Sequence, residues 1–435
     1  MAYDIVIGRN SSDKEKFKEK GLTYIGKGFV KMGNYTSLSN NIWMDIVRSH
    51  VILVAGKRGS GKSYTLSTIA EELTDLQDES SKNIASLMFD TMGIFWTMKY
   101  KNEKDAKLLK DWNLKPKNLP VVTFAPIGKI SEYKEKGIPI DYPFALQVSE
   151  LKAEDWLSIF NLKLNDPVSV LIIRTLEKIS QIKNFKIQNI QEEIEKDEKS
   201  DQQTKQIAFS LFSAAEGWGI FSKDGKGTEI NDLINAGKTT ILDISTYSSV
   251  SIFNIRALLI SLISRKLFNK RMDSRKKEEL ESIQQGQNYL SSKQKKQDPL
   301  VWIFIDEAHE FLPRLGKTPA TDALVQILRE GRQPGISLVL ATQQPGQIHK
   351  DVMTQSDIVI AHRVTAKPDI EALNTIMQTY LLDSIKKQMD NLPSLKGSAI
   401  ILDDNSERIY PIRIRPKFTW HGGEAPTAVK AEQEI

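Results

Sequence analysis

Residues 51–63 read Val51-Ile-Leu-Val-Ala55-Gly56-Lys57-Arg58-Gly59-Ser60-Gly61-Lys62-Ser63. Five apolar residues run straight into the pattern G-x-x-x-x-G-K-[ST]. An apolar run bounded by a glycine turn reads as a buried strand. After it, Leu66, Ile69, Ala70, Leu73 and Leu76 recur at helical spacing. A strand, a glycine loop and a helix in that order form a cradle for phosphate. Glycines let backbone N–H groups turn inward, and the helix N-terminus adds its positive dipole end. Gly56, Lys57, Arg58, Gly59, Ser60, Gly61, Lys62, Ser63 and Tyr64 are therefore the candidate ATP-binding residues. Lys62 suits the β- and γ-phosphates, and Ser63 suits magnesium.

The same kind of apolar run recurs at 84–90, 121–125, 239–244, 301–305, 336–341, 357–361 and 398–402. These runs are continuously apolar, as in strands covered on both faces of a parallel sheet. With helical patterns between them, they predict a doubly wound α/β core of the RecA-like P-loop type, with a mostly parallel central sheet. Residues 146–235 read as a helical insertion, within which 191–206 is polar enough for a solvated helix end or loop. Residues 270–298 are rich in Lys, Glu, Gln and Ser and read as a mobile surface insertion. The expected division is a short N-terminal β segment at 1–45, a core at 46–145 and 236–423, and a tail at 424–435.

A second signal supports hydrolysis. Leu300-Val-Trp-Ile-Phe-Ile-Asp306-Glu307 is a strand that delivers acids at its C-terminal end, where open α/β sheets bind ligands. Asp306 would hold magnesium with Ser63, and Glu307 would polarise the attacking water. Arg329 and Arg332 sit in Arg329-Glu-Gly-Arg332, just before the run at 336, and Gln343 follows that run. On spacing alone these three read as a solvated helix end and a polar turn.

The rest of the composition mainly excludes. No cysteine is present among the 435 residues, so disulfides and Cys-ligated metal sites are ruled out. The five histidines, His50, His309, His349, His362 and His421, show no metal-ligand spacing. A net charge of +5 is too mild to argue DNA binding by itself. The longest apolar stretch, 252–267, is interrupted by Asn254, Arg256 and Arg265 and reads as a core helix, not a membrane span. A cytoplasmic protein without membrane contact is expected.

The order of segments then carries a resemblance. The P-loop strand and a helical insertion are followed by Ile305-Asp-Glu-Ala-His-Glu-Phe-Leu312, by 328–345 (LREGRQPGISLVLATQQP) and by 356–364 (SDIVIAHRV). The chain ends near Arg413-Ile-Arg415-Pro416 and His421-Gly422-Gly423. Across about 45–423 this resembles the HerA–FtsK superfamily of P-loop ATPases, and within it the HerA-type DNA translocases. The resemblance implies a hexameric homo-oligomer with ATP at subunit interfaces and double-stranded DNA in the channel. It implies that Arg332 acts on the neighbour's nucleotide, with Arg329 as second candidate, and that Gln343 senses the γ-phosphate. It also implies a partner effector, a NurA-like nuclease or a defence-system enzyme, since no nuclease carboxylate cluster is visible.

Three departures stand out. Only about 50 residues precede the P-loop here, so the family's N-terminal barrel is expected to be shortened or reduced to a few strands. The family pattern D-x-x-G-E reads Asp90-Thr-Met-Gly93-Ile94 here, and Gln344 stands where the sensor segment has arginine. A regulatory ATPase scaffold with little translocation is therefore the alternative. A membrane-coupled secretion or conjugation ATPase is disfavoured by the lack of a spanning segment. Gln344–Lys350 and Lys129–Lys136 are the candidate DNA-facing loops, though each reads more readily as a solvated surface loop.

Overall fold

The structure, a computed structural model, describes residues 4–32, 35–247, 253–288, 298–377, 385–393 and 395–424. Its strands are β1 (Ile5–Ile7), β2 (Leu22–Met32), β3 (Tyr35–Asp45), β4 (Val51–Ala55), β5 (Ile84–Asp90), β6 (Val121–Pro126) and β7 (Tyr142–Phe144). They continue with β8 (Thr239–Asp243), β9 (Leu300–Ile305), β10 (Ile336–Thr342), β11 (Ile358–His362), β12 (Ser398–Asp403) and β13 (Arg408–Ile414). All lie in one sheet, in the order β1-β3-β2-β13-β12-β11-β4-β10-β9-β5-β8-β6-β7. From β11 to β7 every neighbouring pair is parallel, and β11-β12-β13-β2-β3 is antiparallel. The sheet is thus mostly parallel, as the apolar runs predict. The N-terminal strands extend it through the β2–β13 pairing.

Alternation divides the core. Ile52 and Val54 of β4 point to the face covered by the P-loop helix Lys62–Thr74, through Leu66, Ile69, Ala70 and Leu73. Leu53 and Ala55 point to the opposite face, covered by the long helix Ile255–Asn288 and the helices between 153 and 233. Successive side chains of a strand face opposite ways, so a strand buried on both sides must be apolar throughout. Each fully buried Leu or Ile contributes about 1.5–3 kcal/mol.

The region 153–233 packs around Trp156, whose ring lies 4.9 Å from that of Phe212 and 5.5 Å from that of Phe160. The polar stretch 191–206 is, as expected, a largely exposed helix end and turn between the helices Ile187–Glu195 and Gln202–Glu216. Arg174 grips Asp197 in a two-pronged ion pair at 2.8 and 2.7 Å, and Asp201 caps the helix Gln202–Glu216. A local cap and one ion pair add to the burial of Ile194 there.

Residues 270–288 differ from expectation, because they continue the long helix. Arg275 pairs with Glu278 and Glu279 at i+3 and i+4 spacing, and Arg271 is buried. A Lys/Glu/Gln run has high helix propensity, which a reading for disorder overlooks. Residues 289–297 lie outside the described residues. Among the described residues no helix is long and apolar enough to cross a membrane.

Candidate nucleotide-binding site

The glycine loop is hung between the two strands that flank β4. The Gly56 amide donates to the Thr342 carbonyl of β10 at 3.2 Å, and the Lys57 amide donates to the Arg363 carbonyl just past β11 at 3.0 Å. Gly56 must be glycine, because a Cβ would lie 2.4 Å from Ser60 Oγ and 2.7 Å from His362 Cβ. Gly59 and Gly61 have φ of +74° and +109°, a region that other residues adopt at a cost. Lys62 starts the helix, is buried, and turns its ammonium back onto the Lys57 carbonyl at 3.3 Å. Lys57, Arg58 and Gly59 are exposed at the loop tip.

β9 adjoins β10, so its end delivers Asp306 beside the loop. Ser63 Oγ donates to Asp306 Oδ2 at 2.5 Å. Glu307 follows in a left-handed conformation, φ +51°, with its amide bonded to Asp306 Oδ1 at 2.9 Å. Its Oε2 is buried without a hydrogen-bond partner. Burial, then the charge of Asp306, pushes the Glu307 carboxyl up to about 7. His309 Nδ1 lies 3.5 Å from that oxygen and 3.2 Å from Thr342 Oγ1. Burial and the nearby Lys62 ammonium lower the His309 pKa, so this contact is polar and not an ion pair near neutrality. The backbone amide of Gln343 also acts on Glu307, which puts the end of β10 at the same point.

A hydroxyl and a carboxylate converging at 2.5 Å, next to a partnerless carboxylate oxygen, form the hard-oxygen donor set that magnesium takes. Ser63 and Asp306 therefore fit the ion that accompanies a nucleoside triphosphate.

Tyr64 faces away from the loop. Its hydroxyl accepts the Lys417 amide at 2.7 Å, and its ring meets His421 edge-on at 5.1 Å. The arginines stand elsewhere. β10 runs from Ile336 to Thr342, and only its far end pairs with Ala55. Arg332 precedes β10, so it lies about 20 Å down the sheet from its own P-loop. Arg329 is half exposed and pairs with Asp351 at 2.6 Å. The structure thus brings Lys62, Ser63, Asp306, Glu307 and Gln343 together and sets Arg329 and Arg332 apart.

Two features escaped the sequence reading. His362 lies beneath the loop, with Nδ1 3.1 Å from the Ser398 carbonyl and Nε2 2.8 Å from Thr65 Oγ1. A carbonyl only accepts, so Nδ1 carries the proton and Nε2 accepts from the threonine. Burial lowers the His362 pKa to about 4, which keeps the ring neutral. Its signal was its place in 356–364, but a search for metal pairs passes over it. The second feature is a row of acids. Asp90 is opposite Asp243, and Phe89 is opposite Ile305, so Asp243, Asp90 and Asp306 end three adjacent strands. Asp90 accepts the amides of Met92, Gly93, Ile94 and Phe95 and so shapes the turn after β5. Ile94, in place of the family glutamate, packs against the His421–Gly423 segment.

Comparison with known proteins agrees with this geometry. Residues 30–267 match the family described as "Helicase HerA, central domain", and residues 238–381 match that of zonular occludens toxin. The DNA double-strand break repair helicase HerA of Pyrococcus furiosus is 28% identical over 145 residues, 32% of this chain and 24% of that protein. The HerA of Sulfurisphaera tokodaii is 21% identical over 340 residues, 77% of this chain and 59% of that protein. The chain therefore spans less than two thirds of the length of these relatives. Among solved structures, VirB4 of Thermoanaerobacter pseudethanolicus aligns with a TM-score of 0.55 at 10% identity, over 92% of this chain and 98% of that one. The conjugative coupling protein TrwB aligns at 0.53 and 12%, over 97% and 96%. These two likenesses concern the fold alone. The first family match covers more than half of the chain, and so the chain belongs to the family of the helicase HerA central domain, a family of P-loop ATPases.

Proposed function

We propose that this chain hydrolyses ATP and couples hydrolysis to translocation of double-stranded DNA, as a ring of identical subunits. The observation that carries the hydrolytic part is the 2.5 Å contact of Ser63 Oγ with Asp306 Oδ2, with Glu307 adjoining it. The glycine loop amides and Lys62 bind the triphosphate. Ser63 and Asp306 hold magnesium, which supplies charge neutralisation on the phosphates. Glu307 accepts a proton from the attacking water, and its desolvated, partnerless Oε2 suits that task. Gln343 reports the state of the γ-phosphate through the end of β10. Arg332, too far from its own P-loop, serves the site of a neighbour, which makes the ring part of the mechanism. DNA as substrate rests on the family and on the HerA relatives, which are DNA double-strand break repair helicases. A partner nuclease or defence effector supplies any cutting.

The test is ATP turnover with and without linear duplex DNA, with Glu307→Gln alongside. Stimulation by DNA, and loss of turnover in Glu307→Gln by about 10²-fold or more, are expected. Turnover that ignores DNA, with no retention of DNA by the assembled protein, would favour an ATPase scaffold that regulates a partner enzyme. The replacement of the family glutamate by Ile94 motivates that second reading.

A further inference from the structure

The turn that carries Arg332 is fixed from behind by a buried cation. Residues 331–335 connect the helix Thr321–Glu330 to β10, closed by the Ile336 amide on the Gly331 carbonyl at 2.8 Å. The inner side of this turn is occupied by Arg271 of the long helix. Its Nε donates to the Pro334 carbonyl and its Nη1 to the Asp298 carbonyl, both at 2.8 Å. Glu278 lies 3.5 Å from the same guanidinium, whose side chain is 1% exposed. Gly335 has φ +79°, and a Cβ there would lie 2.3 Å from Leu300 Cδ2. The Arg332 side chain, in contrast, is exposed and has no ion-pair partner among the described residues.

A buried guanidinium is costly unless its donors are used. Here two of them tie the Arg332 turn to the segment that enters β9, a planar two-point grip that a lysine reproduces only in part. The turn borders an open cleft of about 380 Å³, lined by Arg48, Arg271, Arg275 and Arg332 with Asp13 and Glu278. Four cations against two acids leave it basic, and only Arg332 is unpaired, which suits an incoming phosphate group.

We propose that Arg271 is a positioning residue for Arg332, holding its turn so that the free guanidinium stands at this cleft to meet the nucleotide of a second copy of the chain. The proposal rests on the ring reading above, in which Arg332 acts in trans. Arg271 never touches the nucleotide. Its effect is on the subunit that donates the arginine, not on the P-loop of its own chain.

That asymmetry gives the test. Arg271→Met subunits should bind nucleotide as the parent does and lose about 10- to 100-fold in turnover, because a reacting group is displaced by an ångström or so. Mixed with inactive Lys62→Ala subunits, they should regain activity, as Arg332→Ala subunits should in the same mixture. Arg271→Lys should recover part of the lost turnover. If Arg271→Met does not fold, Gly335→Ala strains the same turn from its other side and should show the same rescue. Parental turnover in the variants would overturn the proposal. So would mixed rings that stay inactive with Arg271→Met while Arg332→Ala mixtures recover, for the residue would then act only within its own subunit. If Arg332→Ala mixtures also fail despite mixed assembly, the shared-site reading falls and takes this proposal with it.

Discussion

Arg415 Nη1 lies 3.0 Å from Glu71 Oε2, and both side chains are fully buried. The pair joins the end of β13 to the middle of the P-loop helix, across 344 residues of sequence. Arg415 Nε also reaches Glu72 at 2.6 Å, and Glu71 accepts the amides of Phe418 and Thr419. A single helical turn thus collects the strap that ends at His421 and Tyr64. Removing one partner of a buried ion pair strands the other without solvent. Arg415→Ala should therefore lose about 3–5 kcal/mol of stability, read from chemical denaturation. A loss below about 1 kcal/mol would mean that water reaches the site.

Gly56→Ala tests the cradle itself. The added Cβ would collide with Ser60 Oγ at 2.4 Å and with His362 at 2.7 Å. Ser60 can rotate, but His362 is fixed by two hydrogen bonds. The loop must shift instead. Binding of a fluorescent ATP analogue should weaken at least about tenfold, a cost of about 1.4 kcal/mol, while the circular dichroism spectrum is kept. Unchanged binding would show that the loop tolerates the displacement.

Ser63→Ala tests the metal position. It removes the hydroxyl that meets Asp306 at 2.5 Å and leaves the carboxylate in place. Losing one ligand should raise the magnesium concentration for half-maximal turnover by about 10-fold or more. High magnesium should restore part of the rate, whereas Asp306→Asn should resist such rescue. An unshifted midpoint would remove Ser63 from the metal site.

Much of this was legible in the chain. Apart from the short β7, whose Tyr142 and Pro143 are exposed, the strands between β4 and β12 are largely apolar runs, and burial on both faces leaves few other sequences possible. The P-loop and Asp306-Glu307 are local patterns, so short-range reading finds them. The helix through 270–288 was legible only in its local i+3 and i+4 pairs; its anchorage was not, because it comes from Arg271, whose carbonyl partners are 27 and 63 residues away. The same limit hid His362, whose role depends on Thr65 being 297 positions distant. A one-dimensional search for paired ligands sees only scattered histidines.

Two of those histidines should titrate in opposite directions. His50 is buried between Asp357, at 2.6 Å, and Asp45, at 3.2 Å. Burial disfavours its cation, but the two carboxylates prevail and raise its pKa from 6.5 to about 9. A raised folded-state pKa gives stability that is complete below the unfolded value and is lost as pH rises through the folded one. The ion pairs of His50, which tie β3 and β4 to the start of β11, should therefore weaken between about pH 6.5 and 9. His362 has the reverse sign. Its pKa falls to about 4, so its contribution is complete above 6.5 and is lost as pH drops toward 4. Each should move stability by at most about 3 kcal/mol, at about 1.36 kcal/mol per pKa unit. Thermal melting across pH would separate them. His50→Gln should flatten the alkaline limb relative to the parent, and His362→Gln the acidic limb. A His50→Gln protein that still lost stability on the alkaline side as steeply as the parent would show that this histidine is neutral in the folded chain.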